Sequence, residues 1–485
     1  MPLWLCDFGK CSNPAVQREG YCLCCDKHLC SKHLSEPFHK CPNSESNWPS
    51  FSARYAATEA RHIDELRHRI DGSKLCSRAS ELRDGIQCTV NLSRKHLSSM
   101  MGHQNCHAEV IFEDGVSWLA RLRLTRTTSP PEEVRDFILR SEAGTLTYLR
   151  DRTRIPVPKI FDWACGSDPG NQIGVSYILM EKLDGMPLDW QAANPTQREK
   201  VMQQLVDVFL EIEKHPFETL GSLTVSGPTK FVLQGLAQHA TYRMGAKGPL
   251  GPFTSSLEGS VHMVKSYLAM IASGEIGAHH SVDTYLAHRF RLDIAETLWG
   301  DEPAEEQFFL KHPDDKGDHI LVNESYDIVG IIDWEWTRTA TKVEAFSSPC
   351  MMWPLGKFYE GSNELAPDEV RLAEIFQERG REDLSNCVLL GRKVQRFFFA
   401  LGPESPSDRQ TFLDLFVGLK MAFSFEGEPW EGWEKWKGKA LLKWENDELL
   451  QGLLRLQVNS RSCTREARQG GSHNQRGEEL EPPSS

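Results

Sequence analysis

No stretch of this chain approaches the roughly 20 consecutive apolar residues that a membrane-spanning helix requires, and Met1 to Lys10 holds no basic segment leading into an apolar one. A secreted or membrane-inserted protein is therefore not expected; the expected setting is the cytoplasm, with the nucleus as an alternative. A surplus of positive charge is also missing. The formal net charge is −13, which argues against broad nucleic-acid binding and fits a cationic or neutral ligand slightly better. No Gly-x-Gly-x-x-Gly loop occurs; Met100 to His107 offers only Gly102, which limits any cradling of phosphate by backbone amides to a partial role. There is no internal repeat.

What is present divides the chain. Its 485 residues, 40% of them hydrophobic, exceed what one core normally serves and point to a two-lobed domain with an accessory module. Seven of the 14 cysteines lie within the first 41 residues. Clustering of that kind without a secretory signal reads as metal binding rather than disulfides.

Composition separates residues 1–45, rich in Cys and His, from 46–85, a linker and an amphipathic helix. In that helix Ser52 is an N-cap candidate ahead of Tyr55, Glu59, Ile63, Leu66 and Ile70, and Gly72 follows its end. The helix is suited to clamp the first module onto the rest. Over 86–182 short β-type runs dominate: Ala108 to Phe112 and Ser117 to Leu124 around the turn Glu113-Asp114-Gly115, then a helix from Glu132 to Arg150, then strands at Lys159 to Trp163 and Val175 to Met180. Residues 183–457 read as mostly helical, for example Pro195 to Lys214, with one hairpin pairing Ile320 to Val322 with Ile328 to Asp333. The polar segment 458–485 reads as disordered.

The first module runs Cys6-x4-Cys11-x10-Cys22-x2-Cys25-x4-Cys30-x2-His33-x5-His39-x-Cys41. Eight thiolate and imidazole ligands suffice for two tetrahedral zinc ions, and so short a segment has too little apolar material to fold without metal. The spacing resembles the AN-one type zinc finger, most specifically from Cys22 onward; the first pair is wider than is usual there. The resemblance implies interleaved sites: Cys6, Cys11, Cys30 and His33 on one ion, Cys22, Cys25, His39 and Cys41 on the other. Cys24 is spare and exchangeable with Cys25. Residues 1–45 carry five Lys/Arg (Lys10, Arg18, Lys27, Lys32, Lys40) against five Asp/Glu (Asp7, Glu19, Asp26, Glu36, Glu45). With no basic footprint, a protein partner is expected for the module rather than nucleic acid.

The most informative stretch is His312-Pro313-Asp314-Asp315-Lys316-Gly317-Asp318-His319, followed after a hairpin by Ile332-Asp333-Trp334-Glu335. Phosphoryl transfer needs one carboxylate to orient the attacking hydroxyl and accept its proton, and another to hold magnesium against the ATP phosphates. His312-x-Asp314 and Asp333 have that order and spacing. The pattern resembles the aminoglycoside phosphotransferase family, in its fungal form, over residues 86–455. That resemblance implies an α+β, two-lobed protein-kinase-like fold: a small sheet-plus-helix lobe and a larger helical lobe, behind the small two-zinc module. It implies Asp314 as catalytic base, His312 as support for its loop, and Asp333 as principal magnesium ligand. Arg121 becomes the phosphate-contacting cation, with Glu142 on the next helix as its ion-pair partner. Met180 and Glu181, within Tyr177 to Glu181 and ahead of Asp184-Gly185, become the adenine-binding hinge, and Ile155-Pro156-Val157-Pro158 is the family's lead-in to the neighbouring strand.

Besides the glycine-poor loop, two departures stand out. Arg121 replaces lysine, exchanging a point charge for a planar fork. His319 stands where the family places an asparagine as second magnesium ligand, although magnesium prefers oxygen; Asp318, or Glu335 beside Asp333, is the substitute oxygen donor. Taken singly, Asp314, Asp315 and Asp318 fit a solvated acidic turn, and Arg121 with Glu142 a plain surface pair. Trp430, Trp433, Trp436 and Trp444 read as core packing rather than a stacking platform. Cys350 has no adjacent histidine and no nucleophilic role is assigned to it. The expected function is ATP- and magnesium-dependent transfer to a hydroxyl of a small molecule. The rival is a kinase-like adaptor that recruits a protein through the zinc module.

Overall fold

The computed structural model describes residues 2–35, 38–42, 47–102, 104–225, 230–238, 248–277, 279–300, 307–398, 406, 408–424 and 429–457. The segment 458–485, expected to be disordered, lies outside them. Among the described residues no helix is long and apolar enough to cross a membrane.

The Cys/His module holds a two-residue hairpin, β1 (Tyr21–Cys22) with β2 (Lys27–His28), and a single turn of helix, α1 (Ser31–Leu34). So little regular structure leaves few backbone hydrogen bonds to fix the chain. The next helix, α2 (Trp48–Arg69), starts four residues before Ser52. Its cap is Asn47, whose side chain accepts from the Ser50 amide, so the Ser52 cap is corrected: Asn is as good a cap, and Pro49 in the first turn suits the same start. A second helix, α3 (Gly72–Glu81), follows at once, capped by Asp71.

The small lobe is a five-stranded antiparallel sheet in the order β3 (Cys88–Val90), β4 (Asn105–Phe112), β5 (Ser117–Arg123), β7 (Tyr177–Glu181), β6 (Ile160–Ala164). Helix α4 (Arg94–Ser99) lies between β3 and β4, and α5 (Glu132–Arg152) follows β5. Side chains alternate across a strand, and that alternation assigns the two faces. Ala120 and Leu122 of β5 join Ile63, Leu66, Leu75 and Val110 in one apolar layer under α2 and α3. Leu119 packs on the other face with Leu139 of α5, Ile178 and Met180. Arg121 and Arg123 share that second face, which looks toward the site.

After β8 (Met186–Pro187) and α6 (Pro195–Glu213), the large lobe adds two pairs that the sequence reading did not anticipate. These are β9 (Ser222–Val225) with β10 (Phe231–Gln234), and β11 (Phe308–Lys311) with β14 (Arg338–Thr341); both are too short for an alternating pattern to stand out. Between the first pair and the second lie α7 (Ser256–Ser273) and α8 (Ser281–Trp299). The expected hairpin is β12 (Ile320–Val322) with β13 (Ile328–Ile331), and β8 extends it. Helices α9 (Lys342–Ala345) to α15 (Trp433–Lys443) complete the lobe. Trp433, Trp436 and Trp444 are buried with Phe412, Phe416 and Tyr285, and Trp430 packs against them, as core packing requires. A small lobe of sheet plus helix followed by a larger, mostly helical lobe is the α+β arrangement expected.

Candidate active site and metal centres

Two loops meet at the ends of β11 and β13. His312 ties them together: its Nε2–H donates to the Ile332 carbonyl at 2.8 Å, and its Nδ1 accepts from the Asp314 amide at 3.2 Å. Burial lowers its pKa, consistent with a neutral ring that donates from one nitrogen and accepts at the other. Within the loop, Gly317 adopts φ +105° beside Met351, a conformation that side chains resist. Asp315 is spent on structure, accepting from the Cys350 amide at 2.9 Å and pairing with Lys311 at 3.1 Å. Asp314 stays open, its side chain 37% exposed and 3.0 Å from Lys316 Nζ.

Asp333 follows β13 with φ +59°, and Trp336 has φ +63°. Two non-glycine residues in the left-handed region within four positions mark a backbone held by its surroundings. The Asp333 carboxylate is 39% exposed and 3.3 Å from Arg121 Nη2. Arg121 itself is 9% exposed; it donates to Glu142 of α5 and, at 2.7 Å, to Glu335. Arg123 holds the second oxygen of Glu335 at 2.6 Å. Three carboxylates thus surround two guanidinium groups. Burial, with the nearby charges of Glu335 and Asp333 opposing the pull of Arg121, pushes Glu142 up to about 7.

Arg123 was not singled out from the sequence. The signal for Arg123 was its position two residues after Arg121 on one strand, hence on one face. Glu335, offered as a magnesium ligand, is committed to the two arginines. His319 Nδ1 lies 3.1 Å from the Asp314 carbonyl, while its Nε2 faces Asp333 at 3.4 Å and Asp318 at 3.9 Å. Asp318 lies 3.7 Å from Lys316.

The loop between β3 and β4 carries α4 and closes on itself. The Gly102 amide donates to the Asn105 carbonyl at 2.8 Å and the His107 amide to Met100 at 3.1 Å. The Gly102 amide is thereby occupied. Met180 is buried in the sheet beside β5; Glu181 bonds through its amide and its carboxylate to the backbone of Lys159.

In the Cys/His module, Cys6, Cys11, Cys30 and His33 gather with one ligand atom each within 4.8 Å of the others, and Cys22, Cys25, His39 and Cys41 do the same. Cys6 Sγ and Cys30 Sγ lie 3.3 and 3.4 Å from His33 Nδ1, and Cys25 Sγ lies 3.6 Å from His39 Nε2. A tetrahedral zinc with ordinary Zn–S and Zn–N bonds has sulfur–nitrogen edges of about 3.6 Å, so the donor sets fit that ion. Cys24 points away, toward the carbonyls of Pro42 and Phe51. Burial pushes the Cys350 thiol up, in keeping with an inert side chain.

No family model matches the chain. Two Aspergillus fumigatus proteins, each described as a subtelomeric hrmA-associated cluster protein, are 28% identical over 102 residues, 21% of this chain and 20% of theirs. The match thus spans a fifth of the length of these curated relatives. Among solved structures, a Thermobifida fusca protein described as a candidate fructosamine-3-kinase aligns at TM-score 0.41 and 18% identity, over 72% of this chain and 99% of its own. The GDP complex of aminoglycoside 2'-phosphotransferase-IIIa aligns at 0.40 and 14%, over 73% and 98%. A thermostable aminoglycoside phosphotransferase bound to AMP-PNP and hygromycin B aligns at 0.36 and 15%, over 73% and 92%.

Proposed function

We propose that the chain is an ATP- and magnesium-dependent phosphotransferase of the aminoglycoside phosphotransferase type that acts on a hydroxyl of a small molecule, with a two-zinc module over residues 1–45. The observation that carries this reading is the convergence on Arg121. One buried cation joins Glu142 of α5 to Asp333, while His312 fixes Asp314 to the same strand end. Residues 86–182 would form the small lobe, with Met180 and Glu181 at the adenine hinge, and 183–457 the large one.

In this scheme Asp314 accepts the hydroxyl proton while the acceptor oxygen bonds to the γ-phosphorus and the bond to the bridging oxygen breaks. Arg121 offers its fork to the phosphates, and Glu142 keeps that fork in place. Asp333, with Asp318 or His319, would hold magnesium, which supplies charge neutralisation on the phosphates. Carboxylates carry that duty better than the imidazole does. The test is ATP consumption by the purified full chain against aminoglycosides, amino-alcohols and sugars; no turnover with any acceptor and no binding of ATP with magnesium would overturn the reading.

A weak or inactive adaptor is the second reading. It is favoured by the occupied Gly102 amide and by the draw of three carboxylates on Arg121. ATP binding without turnover would select it.

A further inference from the structure

Several surfaces of the Cys/His module are taken up by its own chain. On the small-lobe side, Asp26 accepts from His62 at 2.7 Å and Arg61 at 3.0 Å of α2, and Thr58 donates to the Cys24 carbonyl at 3.2 Å. On the large-lobe side, the Gln17 amide donates to the Glu275 carbonyl at 2.7 Å, and Gln17 Nε2 reaches Met270 Sδ at 3.4 Å. Between the lobes runs a short arm, Leu3 and Trp4. Leu3 is buried with Val134 and Ile138 of α5 and with Ala237; Trp4, Phe137 and Trp336 pack against that cluster. Trp4 Nε1 donates to the Ser129 carbonyl at 3.1 Å.

The arm therefore shares one apolar cluster with both segments that bring carboxylates to Arg121. Ile138 lies one helical turn before Glu142 on α5, and Trp336 directly follows Glu335. The arm is also stitched to the first metal cluster: the Ala15 amide donates to the Trp4 carbonyl at 3.1 Å, the Cys6 amide donates to Asn13 at 3.0 Å, and Cys6 is itself a cluster member.

We infer that the zinc module is an internal strut for the phosphotransfer site. With metal at the Cys6 cluster, the Leu3–Trp4 arm holds α5 and the Asp333–Trp336 turn against each other; loss of that metal frees the arm and weakens nucleotide binding. The inference rests on the phosphotransferase reading for its nucleotide, while the contacts themselves do not.

The test uses the full chain as wild type, as Trp4→Ala, which keeps every metal donor, and as Trp336→Leu, which alters the shared cluster from the lobe side. Zinc content, affinity for AMP-PNP with magnesium, and hydrogen exchange over 132–142 and 331–338 are measured. Both variants are expected to retain the wild-type zinc content, to exchange faster in both segments, and to bind AMP-PNP about 5- to 100-fold more weakly, the usual range for coupled sites. Stripping zinc from the wild type should produce the same changes, reversed on reloading. Unaltered exchange and affinity in both variants would overturn the strut. If the wild type binds no AMP-PNP, the phosphotransferase reading fails and exchange alone decides: faster exchange in both segments keeps the strut, unchanged exchange ends it.

Discussion

One imidazole, His312, hydrogen-bonds to both loops of the candidate site, donating to the Ile332 carbonyl at 2.8 Å and accepting from the Asp314 amide at 3.2 Å. Replacement by alanine leaves both backbone groups without that partner. His312→Ala should lower unfolding free energy by about 1–3 kcal/mol, the cost of unsatisfied buried polar groups. It should cut turnover more than nucleotide affinity, since the displaced group is Asp314. Denaturant titration with steady-state kinetics reads both; a variant as stable and as fast as wild type contradicts the role.

Arg121 is a fork rather than a point charge because it has Glu142, Glu335 and Asp333 to satisfy. Arg121→Lys should leave at least one buried carboxylate poorly paired. The expected loss is about 3–5 kcal/mol, as for breaking a buried ion pair, seen in denaturant unfolding. A lysine variant of wild-type stability would show that the guanidinium geometry is dispensable.

Those carboxylates set a pH dependence. Glu142 is raised from 4.5 to about 7 in the folded protein, so the fold binds this proton more tightly than the unfolded chain does. Its contribution to stability is complete below about pH 4.5 and is lost as pH rises through 7. Glu142→Gln removes the titrating proton, so stability measured across that window should fall less steeply with pH in the variant than in the wild type. Equal slopes would contradict the assignment.

The metal clusters make a compositional prediction. Cys24 faces the Pro42 and Phe51 carbonyls while Cys25 lies 3.6 Å from His39. Elemental analysis should return about two zinc per wild-type chain, four donors serving each ion. Cys24→Ser should keep both, and Cys25→Ser should lose one. The reverse pattern would exchange the two cysteines.

Much of this arrangement was legible in the chain. Donor spacing pointed to two clusters with Cys24 left over, and the order His312, Asp314, Asp333 pointed to two loops around a hairpin. The β-type run Ser117 to Leu124 put Arg121 on a strand. Other features had no local signature. The burial of Glu335 against Arg121 and Arg123 depends on partners more than 200 positions away. The short pairs β9–β10 and β11–β14 are held by lobe packing rather than by pattern, and the helix start at Trp48 turned on which of two good caps the fold uses. The docking of Trp4 is tertiary altogether, since nothing near Trp4 in sequence names Ser129 or α5 as its neighbours.

Phosphoryl transfer itself is tested most directly by following the γ-phosphate of ATP, in the presence of magnesium, into a panel of hydroxyl acceptors with wild type, Asp314→Ala and Asp333→Ala side by side. A working enzyme gives phosphorylated product with at least one acceptor. Asp314→Ala should then slow transfer by about 10²- to 10⁴-fold, the usual worth of a positioned base, and Asp333→Ala should abolish it. Product formed at the wild-type rate by either variant, or no product and no ATP binding by the wild type, would contradict the phosphotransferase assignment and leave the fold without that chemistry.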